Sequence, residues 1–388
     1  MRGAALHAAC CALVAALPGC FASRVFLDAD AGDRSDLANP SDLQDSSRAR
    51  DAADVDDTVD AGVGPAGYQR CTAVSRRRDA SPSPVQTSCS GADGRPAGCG
   101  VVWVPGGTLE VGEANPEFST GVSNIGSRPV QPGISLSPLR VDRYEASVGR
   151  FRRFLRAWEL GWRPPSEVYM PDCVHAERIA NLPGAINAGE LIGAEASNFE
   201  AAPGLRDRHP IHYIDWATAV RFCAYEGGRL PTEAEWEYLT RVRRVPGLPS
   251  PRPYAWGAHR EGVSCATAWV NGCWRRDGVG PYTVPVEEAD EVGGIYGLGG
   301  NVLEFTLDHF QHYQSPGADP SVWCWASRPQ VNPLCQRLNP GDSQFQVVFR
   351  GPGLFAQGAQ LHAASRWYIN VISTRQVDLG VRCVYADH

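Results

Sequence analysis

Capped helices with an apolar stripe, a short apolar strand closed by a turn signal, and long stretches with no sustained period describe a chain that mixes helices with short strands in much irregular backbone. In GGRLPTEAEWEY (227–238), Thr232 is followed three residues later by Glu235. This is a capping box, in which the hydroxyl takes an orphan amide of the first turn and the carboxylate returns to the cap's own N–H. Pro231 keeps Arg229 and Leu230 out of any helix, and Gly227-Gly228 end an earlier one with Asp215 as its cap and Ala219, Phe222 and Cys223 on its stripe. Another helix opens at Ser147, with Val148, Phe151, Phe154, Leu155 and Trp158 at three- and four-residue steps. Arg150, Arg152, Arg153 and Arg156 fall on its other side, read as a wet face. Val101–Val104 is a short strand stopped by Pro105-Gly106-Gly107. Trp162 to Arg208 reads as a surface excursion, and Pro246 to Val292 as short strands and turns.

The ends differ from this in composition. Residues 1–20 have Arg2, an apolar run from Ala8 to Leu17 and small residues before Cys20, the pattern of an export signal and too short for a spanning helix. LPGC at 17–20 resembles a bacterial lipobox, which implies lipidation of Cys20 and anchoring to a cell-envelope membrane; the alternative is an ordinary signal peptide cut nearby. Residues 21–66 read as a solvated tether, since positions 24–66 hold eleven aspartates and four arginines with few large apolar side chains. That balance equals the formal charge of −7 for all 388 residues, so the remainder is near neutral and offers no field for nucleic acid. Lysine is absent, which excludes Walker-type phosphate binding and Schiff-base chemistry. Residues 67–100, with three cysteines, read as an irregular cap, and 101–386 as the main domain.

Ten of the thirteen cysteines lie beyond position 20, at 71, 89, 99, 173, 223, 265, 273, 324, 335 and 383. An even number in an exported chain favours a disulfide framework, and without any CxxC pair metal knuckles and thioredoxin-like exchange are poorly supported. Cys265 with Cys273 and Cys324 with Cys335 are near enough to close small loops, while partners for Cys71, Cys89, Cys99 and Cys173 stay open.

Seven blocks in order carry a resemblance: VWVPGGTLEVG (102–112), VDRYEASVGRFRRFLRAW (141–158), HPIHYIDWATAVRFCAYEGGRLPTEAEWEY (209–238) with YAWG (254–257), GGIYGLGGNVLEFTLD (293–308), FRGPG (349–353), ASR (364–366) and LGVRC (379–383). Together they resemble the formylglycine-generating enzymes, or sulfatase-modifying factors. The resemblance implies an irregular, loop-rich α+β fold related to C-type lectin-like folds, and a Cys223–Cys383 disulfide whose long loop would contribute on the order of 4 kcal/mol. Arg350, Arg366 and Arg382 match arginines of the family's blocks and are expected in structural ion pairs.

The chemistry implied is oxidation of a substrate cysteine at copper(I) held by two cysteines beyond an RGGS motif, soft thiolates being suited to that ion. Here the motif is RGPG (350–353), and the family's spacing puts Ala356 and Leu361 at the two cysteine positions, Gly353 at the active-site serine and Phe305 at a tryptophan. No cysteine lies between Cys335 and Cys383, so no copper and no catalytic residue are expected. GGNVLE (299–304) matches a calcium loop, implying Asn301 and Glu304 as side-chain ligands and Gly300 and Val302 as carbonyl ligands. A second calcium loop of the family meets Thr267 where an asparagine is usual.

His309 and His312, with Glu304 and Asp308, would suit zinc or iron on a helix, but the resemblance places them at a strand end, where a surface or hydrogen-bonding role is expected. His362 and His209 read as packing and as a turn residue. Trp323, Trp325, Trp367 and Tyr368 suit either a groove lining or the core. The reading is an exported, lipid-anchored protein of the cell envelope that binds a peptide, glycan or protein in its cleft; the alternative is an oxidoreductase or protein-modifying enzyme of the same family.

Overall fold

The capping box closes as its spacing requires: Glu235 N–H donates to Thr232 Oγ1 at 3.2 Å and Thr232 N–H to Glu235 Oε2 at 2.8 Å. The computed structural model describes residues 86–90, 95–113, 128–164, 186, 188–192, 197–270, 273, 283–337, 340–341, 346–370 and 374–386. The signal, Cys20, the tether, Cys71, Cys173 and most of the excursion after Trp162 lie outside these residues.

Among the described residues the helices are α1 (Val148–Glu159), α2 (Ala188–Ile192), α3 (Trp216–Tyr225) and α4 (Glu233–Glu237). Ser147 and Asp215 cap α1 and α3 by accepting from Arg150 N–H and Thr218 N–H. Gly227, at φ 81°, turns the chain out of α3 in a conformation that favours glycine. After α4 the helix widens into a π-helical turn, Tyr238–Val242.

The strands are β1 (Val101–Val104), β2 (Gly107–Val111), β3 (Gln131–Leu136), β4 (Leu139–Asp142), β5 (Glu291–Val292), β6 (Ile295–Tyr296), β7 (Leu303–His309), β8 (Gln330–Val331), β9 (Val347–Arg350), β10 (Arg366–Ile369), β11 (Leu379–Gly380) and β12 (Val384–Ala386). They form small sheets, ordered β1-β4-β12, β10-β9-β7-β11, β2-β3-β8 and β5-β6. The fold is thus an irregular α+β one. α1 and α3 lay Phe151, Phe154 and Phe222 against Phe305, Leu307 and Phe349 of the four-stranded sheet, forming one apolar core. A second core gathers Val104, Leu109, Ile134 and Val141 around Ala234, Leu239 and Trp325.

Disulfides join Cys223–Cys383, Cys265–Cys273, Cys324–Cys335 and Cys89–Cys99, the last supplying a pairing that the sequence leaves open. The Cys89–Cys99 segment is laced to the domain: Gln86 Nε2 donates to Asp142 Oδ1 at 2.7 Å, and Ser88 N–H to Glu226 Oε2 at 3.2 Å.

Two expectations are corrected. Arg150 is not on a wet face but fully buried, 3.0 Å from Asp142 and 3.3 Å from Glu226, because carboxylates from β4 and the end of α3 meet it there. From Pro246 to Val292 the described residues are mostly turns, with a 3-10 turn at Arg260–Gly262 and an isolated bridge, Tyr254 to Gly257, and the strand content expected there is limited to β5 at Glu291–Val292. Side chains stabilise this backbone locally, as where Thr267 Oγ1 accepts from Ser264 N–H at 2.9 Å.

Candidate functional site

β7, β9 and β11 lie side by side, so the residues at one end of this sheet come together from distant parts of the sequence. Glu304 pairs with Arg350 across β7 and β9, and Leu379 lies beside Leu303 in the parallel pair of β11 and β7. The three predicted arginines stand here, all fully buried. Arg350 Nη2 is 2.6 Å from Glu233 Oε1 and 3.0 Å from Glu237 Oε2. Arg366 reaches the same Glu233 with Nη2 at 2.7 Å and with Nε, and its guanidinium lies 3.9 Å from the centre of the Tyr313 ring. Burial alone would raise the Glu233 carboxyl, but Arg366 and Arg350 outweigh it and hold it below the usual carboxylate range. The chain of charge continues from Glu237 to Arg241 at 2.9 Å and from Arg241 to Glu113 at 3.2 Å. Asp308 seats the start of α4 and the Cys324–Cys335 loop together, accepting from Glu233 N–H at 2.7 Å and Cys335 N–H at 2.8 Å. Burial and the neighbouring Glu233 push its carboxyl up to about 8.

Around the GGN loop the predicted calcium ligands are brought close but bound elsewhere. Asn301 Oδ1 accepts from Val284 N–H at 3.0 Å, while its Nδ2 donates to Glu145 Oε2 at 2.6 Å. Glu304 takes Arg382 Nη2 at 2.7 Å and Trp236 Nε1–H at 2.8 Å. Val302 N–H donates to Glu145 Oε1 at 3.1 Å, and Gly300 packs its Cα against the Trp269 backbone. A carboxylate already answered by a buried guanidinium and an amide oxygen already holding an N–H do not fit a hard cation that needs six or more oxygens. Thr267, at the second loop, is tied to Ser264. The same region holds acids that sequence reading missed. Burial holds the Glu145 carboxyl well above its ordinary range and pushes Asp290 up to about 7, although Gly299 N–H donates to Asp290 Oδ2 at 2.8 Å.

Beyond Arg350 the chain turns at Gly351, φ 98°, against Trp236. Ala356 and Leu361, at the positions where the resemblance expects the copper cysteines, are 7% and 5% exposed and pack with Tyr254, Ala268 and Val270. Trp256 and Val263 lie against this cluster. It presents aliphatic and aromatic carbon where a copper(I) ion would need thiolates, and Cys335 and Cys383, which bound this part of the sequence, are both in disulfides. The buried His362 stands beside it. Its Nδ1 accepts from Ala364 N–H at 3.1 Å and its Nε2 is 3.1 Å from Glu113 Oε2, so both ring nitrogens are engaged. Gly353, at the family's serine position, faces Asp378; a Cβ added to Gly353 would sit 2.4 Å from Asp378 Oδ2.

The histidines of the β7 end do not converge. His309 packs on Trp216 with ring centres 6.0 Å apart, and His312 lies exposed against Phe310 at 5.1 Å. Among the described residues no three His, Cys, Asp or Glu side chains are grouped to hold a metal ion. His209 Nδ1 bonds Thr283 Oγ1 at 2.8 Å beside the turn it ends. Of the four candidate groove aromatics, Trp325 is a core residue, while Trp323, Trp367 and Tyr368 are partly exposed.

The family profile described as "Sulfatase-modifying factor enzyme 1-like domain" matches residues 88–387. The chain is 29% identical to the formylglycine-generating enzyme of Streptomyces coelicolor over 267 residues, covering 62% of this chain and 80% of that protein. It is 31% identical to the formylglycine-generating enzyme of Thermomonospora curvata, covering 54% of this chain and 71% of the relative. It is also 28% identical to the mouse protein named inactive C-alpha-formylglycine-generating enzyme 2, covering 58% and 73% respectively.

Proposed function

Because this chain belongs to the family with the sulfatase-modifying factor enzyme 1-like domain, we propose that it keeps the family's framework without its copper chemistry and acts as a binding or scaffolding protein. The observation that carries the reading is the pairing of Ala356 and Leu361 inside an apolar cluster, in a stretch without cysteine between Cys335 and Cys383. Thiolates cannot be recruited from those two flanking residues without breaking the disulfides Cys324–Cys335 and Cys223–Cys383. Similarity to proteins named inactive as well as to named enzymes is compatible with loss of activity on a retained scaffold.

In this reading the ligand is a peptide, a glycan or a protein surface. It docks over the sheet end where Leu303, Gly353 and Asp378 meet, with the partly exposed Trp367 and Tyr368 on the neighbouring β10. In the same reading the signal-like pattern of residues 1–20 directs export and Cys20 carries a lipid, so that the domain works in the bacterial cell envelope, held to a membrane and reaching outward on the acidic tether.

Metabolic labelling with a fatty-acid probe tests the anchor, with label expected on the wild type and lost in Cys20→Ala. Metal analysis of the purified protein tests the domain. The expected result is a substoichiometric content of copper, iron and zinc; one equivalent of any of these with oxygen uptake on a thiol peptide would replace binding by oxidation.

A further inference from the structure

The apolar cluster of Ala356 and Leu361 is walled by a loop that a disulfide closes. Ala268 and Val270 supply the wall, packing there with Tyr254. Both lie inside the ring made by Cys265–Cys273, whose sequence separation is 8. Its far side rests on the GGN loop, where Asn301 N–H donates to the Trp269 carbonyl at 2.7 Å and a Cβ added to Gly300 would sit 2.5 Å from the Trp269 backbone. Within the ring the Ser264 carbonyl accepts from Ala268 N–H at 2.8 Å and the Val270 carbonyl from Cys273 N–H at 3.0 Å. Its described residues are turns with no strand pairing, so the covalent closure is the main constraint on Ala268 and Val270.

Among the cysteines of the described disulfides, Cys265 alone is exposed. Cys223, Cys335 and Cys383 are fully buried, Cys89, Cys99 and Cys324 half-buried, and Cys273 is covered. Thiol–disulfide exchange begins when a thiolate reaches one sulfur of the bond, so access selects the pair that reacts. Cys265–Cys273 also closes the shortest of these loops, the others separating their cysteines by 10, 11 and 160 residues, and opening it releases the least chain. The cluster that it walls is distinct from the two larger cores that carry the sheets and helices. A local opening here leaves those cores in place.

We propose that Cys265–Cys273 is a thiol–disulfide exchange site, at which a dithiol reductant unlatches the wall of the Ala356–Leu361 cluster. One thiolate of the reductant attacks Cys265 Sγ, the Cys265–Cys273 bond breaks, and Cys273 leaves as a thiolate that takes up a proton. The second thiolate of the reductant attacks the mixed disulfide, releasing Cys265 to take up a proton and closing the reductant's own disulfide. Two electrons and two protons have then passed to the protein. With the ring open, Ala268 and Val270 come away from Ala356 and Leu361 and uncover apolar surface beyond Arg350. The switch goes beyond the binding reading and stands whether or not a ligand docks on the sheet end.

The test is graded reduction of the folded full-length protein with dithiothreitol, followed by alkylation with N-ethylmaleimide and mass mapping of the labelled cysteines. Cys265 and Cys273 are expected to be half-labelled at a reductant concentration about tenfold below that needed for Cys89–Cys99, Cys324–Cys335 or Cys223–Cys383. Hydrogen exchange recorded at the same step should quicken about tenfold at the amides of 264–270 and 354–361 and stay unchanged in α1 and β7. Reoxidation should restore the protection. Cys265→Ser/Cys273→Ser should exchange fast at both segments without reductant and no longer respond to it. Earlier labelling of another pair, or labelling of this pair with exchange at 354–361 unmoved, overturns the proposal, and both are read on the wild type. A double variant as protected as the oxidised wild type overturns it too. None of these outcomes bears on the loss of copper chemistry, since metal content and oxygen uptake decide that.

Discussion

Two regions flank Arg350, and they were built by opposite means. On one side Glu233, Glu237, Arg350 and Arg366 form an ionic core with every side chain fully buried. On the other, Ala356 and Leu361 close a small apolar cluster with Tyr254, Ala268 and Val270. The ionic core depends on each member, because removing one partner strands a charge in a low-dielectric interior. The apolar cluster depends on shape and volume, and tolerates exchange as long as space stays filled. A scaffold can therefore lose the chemistry in the second region while the first keeps the backbone in place.

Breaking the ionic core should have the largest effect. Glu233→Gln leaves Arg366 and part of the Arg350 charge unanswered and should cost about 3–5 kcal/mol in a urea titration, with Arg366→Met in the same range. Opening Cys223–Cys383 by a double serine substitution should follow, at about 4 kcal/mol, since its loop spans 160 residues. In the apolar cluster, Leu361→Ala should cost about 2–4 kcal/mol by leaving a cavity, and Ala356→Gly distinctly less. If Leu361→Ala proved costlier than Glu233→Gln, the contrast between the two regions would be wrong.

A smaller effect is expected from pH. Burial and the charge of Glu233 raise Asp308 to about 8, and burial raises Asp290 to about 7, both above the usual carboxylate value of about 3.9 in the unfolded chain. The folded protein then holds the protons more tightly, so this contribution to stability is complete below about pH 4 and is lost as pH rises through 7 and 8. Glu233 acts in the opposite direction, its lowered pKa giving stability that is lost in strong acid. Stability should thus peak at mildly acidic pH, and Asp290→Asn should flatten the decline between about pH 5 and pH 8, read by Tm against pH. The smallest effect concerns calcium. With Glu304 on Arg382 and Asn301 on Val284 and Glu145, EDTA should leave Tm unchanged; a fall restored by calcium would show that the loop opens to bind it.

The helix starts at Ser147, Asp215 and Thr232 were legible because a cap and its partner lie three residues apart, within reach of a local rule. Order and identity of the blocks likewise made the family legible. Arg150 was not, because periodicity assigns a residue to a helix face without saying what covers that face, and here Asp142 and Glu226 do. The Glu233 network hides for the same reason, its arginines lying 117 and 133 residues away. Loop motifs suffer in another way: GGNVLE names the atoms able to ligate calcium, but the Val284 N–H on Asn301 Oδ1 and Arg382 on Glu304 claim them first. Asp378 carried a signal only in retrospect, as a glycine where a side chain would collide with it.

In the proposed function the domain has exchanged a sulfur clamp for carbon at Ala356 and Leu361. Copper(I) titration against a competing chelator, run on the wild type and on Ala356→Cys/Leu361→Cys with oxygen uptake on a thiol peptide recorded in parallel, tests it most directly. The wild type should retain no copper and take up no oxygen, and the double variant should retain one copper. One equivalent of copper on the wild type, with oxygen consumed, would contradict it.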